Sequence, residues 1–301
     1  MNKLPFDVKR EVISKGFKPS NELPKRPVKE LLRQGLVIID KPSGPISREV
    51  TDQVKRLLHA KKAGHAGTLD PKVTGVLPIA INYGCKVLTA LRTDKEYECV
   101  MLLHSEASES LIKESGKQFI GVIKQLPPVK SSVKREVRQR KVYYLDIKKI
   151  EGRLVNFIIG CEAGTYVRKI CSDWGDLIKV KAHMKSLRRT KSGPFTLKDA
   201  VGFDEFKNEP TKYLLPVERG VTHLPWVWID EPTVKRVING MQVNTTGITA
   251  FHSGIKKDEL IALMNHDNEL IALAKAEMSS EEMKGESRVA CKTERVIISQ
   301  A

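Results

Sequence analysis

The sequence predicts an α+β protein: a mixed, mainly antiparallel sheet domain with flanking helices, followed by a small C-terminal β-barrel. Three observations carry this. "GLVIIDKPSG" at 35–44 is an apolar run closed by a turn, and "SREVTDQVKRLLH" after it spaces Val50, Val54, Leu57 and Leu58 on one helical face. "KVYYLDIKKI" at 141–150 and "RLVNFIIGCE" at 153–162 are β-branched and aromatic runs joined by Glu151-Gly152. After "LPVERGVTHLPW" at 215–226 the texture changes to short segments separated by Gly, Asn and Asp, which places a domain boundary near residue 221.

In chain order, residues 1–34 are polar and basic, with prolines at 5, 19, 24 and 27, and read as an extension whose folding depends on another part of the molecule. The strand that follows leads into a helix with Ser47 as its expected N-cap. Then comes "AGHAGTLDPKVTGVLPIAI" at 63–81, with Asp70 set between glycine-bearing turns just ahead of a continuous apolar run. Pro71 biases Asp70 toward extended backbone, and Gly64, Gly67 and Gly75 permit turns that bulkier residues resist. The carboxylate is thus expected at a strand edge, although a helix cap or an Asx turn accounts for it as well. "YECVMLLH" at 97–104 reads as a further strand. In the tail, "ELIALMNHDNELIAL" at 259–273 suits two strands and a tight turn, with a helix as the competing reading.

With 301 residues, 41 % of them hydrophobic and 29 % charged, the chain can bury a sizeable core in two domains. Its 52 Lys and Arg against 36 Asp and Glu give a net charge of +16, which points to a polyanionic partner. Charge spread for solubility is the bland alternative. Against it, "LIKVKAHMKSLRRTKSGPFTLK" at 177–198 concentrates cations with no acid. The five cysteines (85, 99, 161, 171, 291) lack CxxC spacing, so neither a disulfide framework nor a zinc knuckle is suggested, and a reducing cytoplasm is the expected compartment. No apolar run approaches a membrane span, and "MNKLPFDVKREVISK" lacks the apolar core of a signal peptide.

"GHAGTLDPKVTGVLPIAI", preceded by "IDKPSGPISREV", closely resembles the pseudouridine synthases of the TruB family. The match continues through "KEY" at 95–97, "QLPPVKSSVKREVRQRKVYYLDI" at 125–147, "CEAGTYVRKICSDWG" at 161–175 and "AHMKSLRRTKSGPF" at 182–195. The tail from 223 resembles the PUA domain, a small RNA-binding β-barrel. The nearest branch is the archaeal relatives of dyskerin, the catalytic subunit of H/ACA guide-RNA particles.

The resemblance implies an RNA-modifying isomerase that needs neither a metal nor a redox cofactor. Its expected substrates are the T-loop uridine of tRNA and, with H/ACA guide RNA and small H/ACA partner proteins, uridines of rRNA. It implies a catalytic domain over 35–220, a PUA domain over 221–301, and packing of the 1–34 extension on that barrel. Converting uridine to pseudouridine breaks the bond from uracil N1 to ribose C1′, turns the base and rejoins it through C5. By resemblance Asp70 is the carboxylate responsible, either attacking C1′ or removing a ribose proton. Arg168 pairs with it as a buried guanidinium that holds the acid ionised. Tyr97 stacks on the target base and is a candidate for moving the C5 proton. Leu187 is an apolar wall, His65 lies beside the extruded nucleotide, and Lys41 with Pro42 buttresses the active-site tyrosine.

Two other function classes compete: a catalytically silent RNA scaffold, and a base-releasing glycosidase. The intact Asp70, Tyr97 and Arg168 set opposes the first. The second ordinarily needs two flanking carboxylates, for which only Glu162 and Asp173 stand near the Arg168 stretch. One departure from the family pattern is "LIKVKAHM", without the glycine usual before "AHM", which bears on the flexibility of that loop.

Overall fold

The computed structural model describes residues 3–20, 22–126, 136–285 and 287–298; the 127–135 part of the family-like "QLPPVKSSVKR" stretch lies outside them. In chain order, β1 (Val12–Ser14) and α1 (Val28–Gln34) lead to β2 (Leu36–Lys41), α2 (Ser47–Leu57), β3 (Ala63–His65), β4 (Thr74–Ile81) and β5 (Lys95–Leu103). Then follow α3 (Glu109–Lys117), β6 (Gly121–Gln125), β7 (Arg138–Glu151), β8 (Leu154–Cys161), α4 (Val167–Leu177), β9 (Ala182–Ser192), β10 (Phe195–Thr196), β11 (Val201–Gly202) and α5 (Phe203–Asn208). The tail holds β12 (Trp226–Ile229), α6 (Glu231–Ile238), β13 (Val243–Asn244), β14 (Ile248–His252), β15 (Leu260–Met264), β16 (Leu270–Ala276) and β17 (Val289–Val296).

The larger sheet runs β11-β2-β4-β9-β5-β8-β7-β6, with β3 on β4 and β10 on β9. Only β11 with β2 and β4 with β9 pair in parallel, so it is mixed and mainly antiparallel. The β7–β8 hairpin turns at Gly152, whose φ of +54° is the conformation glycine supplies without penalty. One face of the sheet buries Phe157, Ile159, Met101 and Leu103 against Trp174 and Ile170 of α4. Val50 and Val54 of α2 pack with Val37, Ile39, Leu77 and Ile79 of β2 and β4, as the helical spacing predicts.

Ser47, however, is not the cap of α2. It is the first helical residue; Ile46 precedes it, and Glu49 Oε2 accepts the Ile46 amide at 3.0 Å. Its hydroxyl is taken by a tertiary contact instead, accepting from Leu69 N at 2.7 Å and donating to Leu69 O at 3.0 Å.

The second sheet runs β1-β14-β12-β15-β16-β17-β13. The repeated Glu-Leu-Ile-Ala-Leu stretch forms β15 and β16, antiparallel, turning at residues 265–269. β1 pairs with β14, Val12 opposite His252, so the N-terminal segment extends this sheet's edge. Both faces of the sheet are apolar. Val227, Ile229, Phe251, Ile261 and Leu263 enclose an inner core with Val234 and Val237 of α6. The alternate residues Trp226, Trp228, Ala250, Ala262 and Met264 point the other way and join Leu36, Ile38, Val76, Val87, Leu91 and Val217 in one continuous cluster. The two sheets therefore share a core.

Two histidines sit on that junction. His223 donates from Nε2 to Ala90 O at 3.0 Å, while His252 Nδ1 accepts the Trp226 amide at 3.0 Å and its ring lies against both tryptophans. Burial pushes each down to about 4. Unfolded, they regain the ordinary value near 6.5, so between these values the unfolded chain binds protons that the folded one excludes. Stability present above about pH 6.5 is then lost as the pH falls toward about 4, by up to about 3 kcal/mol per histidine. Melting curves across that window should show the loss, and His252→Phe should flatten it. An unchanged slope would refute this assignment.

The segment before "AHM" bends through Lys179 and Lys181, at φ +60° and +52°. These non-glycine residues bear the strain that a glycine would relieve. Replacing the exposed Lys179 with Gly should raise stability by about 1 kcal/mol, read as a small increase in melting temperature. A decrease would mean that the lysine side chain stabilises the turn.

Candidate active site

The site forms where β4, β9 and β5 lie side by side. Gly75 of β4 is opposite Arg189 of β9, which is opposite Tyr97 of β5. This register requires Gly75: its φ is +105°, and a Cβ there would stand 2.2 Å from Arg189 O. The turn between β3 and β4 carries Asp70 over this point.

The turn is held from below at alternate residues. Ser47 binds both backbone groups of Leu69. Arg189 donates from Nη2 to Gly67 O at 3.0 Å and from Nε to Val76 O at 2.7 Å. Lys41 donates to Pro42 O at 2.8 Å, Pro71 O at 3.1 Å and Val73 O at 2.9 Å, which satisfies all three ammonium protons. Lys41, which the resemblance implied would buttress the active-site tyrosine at the substrate site, is fully buried beneath the turn and faces backbone carbonyls. Burial and Arg189 together lower its pKa. Pro42 is exposed and supplies one of those carbonyls. Leu69 and Val73 anchor the flanks of the turn in the same apolar cluster as Tyr97 and Val167, with Leu187 packed against it.

Asp70 itself points outward, with Arg168 Nη1 3.0 Å from its Oδ2. The Arg168 guanidinium was expected to be buried. Instead the pair is half-exposed, with side-chain accessibilities of 49 % and 50 %, so its value is in aiming the carboxylate more than in stability. Arg168 stands in the first turn of α4. Just ahead of it the Gln125 amide clamps Tyr166 through Oε1 from Tyr166 N at 3.0 Å and Nε2 to Tyr166 O at 3.1 Å. Sequence reading singled out neither Gln125 nor Arg189. Gln125 is the last residue of β6 and its partner is distant in the chain.

Tyr97 is 9 % exposed and stands opposite Arg189 in the β5–β9 register. Burial raises its pKa, with Arg189 opposing, so the phenol stays protonated at neutral pH and is not a ready base for the C5 proton. Leu187 of β9, opposite Cys99 of β5, is partly buried. His65 is oriented by threonines: Thr51 Oγ1 donates to Ser47 O, so at 3.0 Å His65 Nδ1 donates to Thr51, leaving Nε2 to accept from Thr68 at 3.4 Å. Burial and Arg189 lower its pKa and favour the neutral ring. Glu162 and Asp173 are otherwise engaged, Glu162 accepting from Lys141 N and pairing with Arg140, and Asp173 pairing with Lys169. Among the described residues no group of His, Cys, Asp or Glu could hold a metal ion.

Three of the seven cations in the basic stretch 177–198 are held in ion pairs. Arg188 pairs with Asp40 at 2.6 Å, Lys191 with Asp7 at 2.6 Å and Lys181 with Asp176 at 2.6 Å. A different basic surface lies at the far end of the β3–β4 hairpin: a groove of about 720 Å³ lined by Lys29, Arg33, Lys61, Lys62, Lys86 and Arg295, with Leu32, Leu58 and Tyr83 among its apolar lining.

Comparison with known proteins identifies the family. Residues 55–111 match the TruB family pseudouridylate synthase N-terminal domain, 168–222 the tRNA pseudouridylate synthase B C-terminal domain, and 225–297 the PUA domain. A protein of Methanosarcina barkeri described as "Probable tRNA pseudouridine synthase B" is 42 % identical, covering 98 % of this chain and 93 % of its own. A crystal structure of a Cbf5-Nop10-Gar1 complex contains a chain of 41 % identity and TM-score 0.90, covering 99 % of this chain and 97 % of that one. The structure of an H/ACA RNP bound to a substrate RNA containing 2′-deoxyuridine gives 38 % identity and TM-score 0.90, over 99 % and 97 %. On this identity and coverage, the chain belongs to the TruB family of pseudouridylate synthases.

Proposed function

We propose that the protein isomerises uridine to pseudouridine in RNA, with Asp70 as the reacting carboxylate. The observation that carries this is the Asp70–Arg168 pair, held at 3.0 Å on the rim of the apolar cluster that contains Tyr97. Arg168 aims the acid, and a bound nucleotide covering the half-exposed pair would strengthen their attraction. Asp70 serves detachment of the base from C1′, and the ring of Tyr97 offers a surface for the base. Leu187 and the neighbouring apolar side chains keep water from the detached uracil, so that C5 recaptures the sugar and the C5 proton is lost as N1 gains one. No metal or redox group is required.

The substrates we propose are the T-loop uridine of tRNA and, with an H/ACA guide RNA and small partner proteins of the Nop10 and Gar1 kind, uridines of rRNA, in the cytoplasm. The net charge of +16 and the basic groove beside the hairpin suit an RNA backbone running from the PUA part, over 221–301, to the catalytic part, over 35–220. Segment 1–34, whose β1 lies on the PUA sheet, belongs with that part. The test incubates purified protein with tRNA and rRNA transcripts, with and without guide RNA and partner proteins, and maps pseudouridine at nucleotide resolution. T-loop conversion without a guide and guide-specified conversion in rRNA are expected. No conversion under either condition would overturn the reading.

A further inference from the structure

Beneath the Asp70 turn three cationic side chains are buried: Lys41, held by its three carbonyls, and the neighbours Arg189 and Lys95. Arg189 is 1 % exposed, and among the described residues it makes no ion pair. Lys95 is also buried, donating to the carbonyls of Leu91 and Thr93. The two face one another across Gly67, where a Cβ would stand 3.3 Å from Arg189 Nη1 and 3.4 Å from Lys95 Cε. Burial first, and then repulsion from Arg189, push Lys95 down to about 7 against the pull of Asp94. Burying an arginine without an anion is unfavourable, and an apolar side chain of similar volume would fill the space at less cost. The guanidinium's own bonds show what it does there. It donates to Gly67 O in the turn and to Val76 O near the start of β4, and from its place opposite Tyr97 of β5 its charge acts on that phenol.

We propose that Arg189 is a positioning residue for base isomerisation, locking the turn that presents Asp70 to the tyrosine that receives the base. The inference rests on Asp70 and Tyr97 acting together as set out above. A planar fork with several donors is required, because one group must meet two carbonyls in different directions while its charge faces the phenol. Lysine, a single ammonium point, can keep the charge but not the geometry.

The test compares the full-length protein with Arg189→Lys, Arg189→Met, Tyr97→Phe and the Arg189→Lys/Tyr97→Phe double variant. The readouts are single-turnover conversion at saturating RNA, RNA affinity and thermal melting. Arg189→Lys is expected to lower the saturating rate by about 10- to 100-fold and Arg189→Met by more, with RNA affinity within about twofold of wild type. Because the arginine acts partly through the phenol, the double variant should lose much less than the product of the single losses. Losses that multiply, a saturating rate within about twofold of wild type, or a defect confined to affinity would each overturn the proposal. If Arg189→Lys lacks a cooperative melt, Tyr97→Phe decides: a slower saturating rate at unchanged affinity is expected, and an unchanged rate overturns the proposal. Loss of folding in both would mean that the guanidinium is a stability element only, which also overturns it. Asp70→Asn, run alongside, separates the two levels. If it still converts RNA, the site assignment fails; if it is inactive while Arg189→Lys is unaffected, only the positioning role fails.

Discussion

Asp70→Asn is expected to abolish conversion, by roughly 10⁴- to 10⁶-fold, the range found when the reacting member of a catalytic group is removed. RNA affinity should stay within about threefold of wild type, because a single half-exposed carboxylate contributes little to docking against a strongly basic protein. The substitution is close to isosteric, and the turn's anchors at Ser47, Lys41 and Arg189 act on backbone carbonyls and amides, none of which the change removes. The melting temperature should therefore hardly move, since an exposed ion pair is worth at most about 1 kcal/mol. Single-turnover conversion at saturating RNA, measured beside filter-binding affinity and a thermal melt, provides the check. Appreciable turnover by a folded Asn variant would remove Asp70 from the chemistry.

That Asp70 stood out in the sequence at all follows from local physics. Proline after it and glycines around it constrain the backbone within a few residues, and such constraints are visible in a linear pattern. The same holds for the β7–β8 hairpin with Gly152 at its turn and for the paired Glu-Leu-Ile-Ala-Leu strands. Signals for α6 were also present in "IDEPTVKRVI": Asp230 accepts from Thr233 N at 2.9 Å as an N-cap, a proline follows in the first turn, and Val234 and Val237 are buried. They were obscured by the punctuated texture of the tail.

What the sequence did not show depends on register between distant strands. Arg189 sits in a run of cations that reads as a nucleic-acid face, but β9 threads between β4 and β5 and its pleat turns this one residue inward. Nothing local distinguishes it from Arg188, which pairs with Asp40 nearer the surface. Ser47 shows the same limit in another form: a serine before a helical pattern is a good cap candidate, and only the approach of Leu69 turns its hydroxyl to another use.

Glu218→Ala is expected to destabilise the protein by about 3–5 kcal/mol, the cost of removing one partner from a buried ion pair. Glu218 is 1 % exposed and joins three parts of the molecule. Its Oε1 accepts from Arg26 Nη2 of the N-terminal segment at 2.7 Å and from the amide of Leu270 in β16 at 3.1 Å. Alanine would leave a buried guanidinium short of its anion, with Glu30 at 3.0 Å and Glu269 at 3.4 Å as more exposed remaining partners, and would orphan the Leu270 amide. A fall of about 5–8 °C in melting temperature should follow, whereas Glu218→Gln, which keeps an acceptor for Leu270, should cost less. Because Trp226, Trp228 and Met264 share a core with Leu36, Val76 and Val217, the weakened junction should not separate into two transitions. The same continuity means that cutting the chain near 221 would expose apolar side chains on both sides of the cut, so the full-length variants are the cleaner test of what the tail contributes. Changing Arg26 and Glu218 together to methionine should recover part of the loss, since neither charge is then left buried alone. A shift below about 2 °C for Glu218→Ala would show that solvent reaches the site and that the junction is held by its apolar contacts alone.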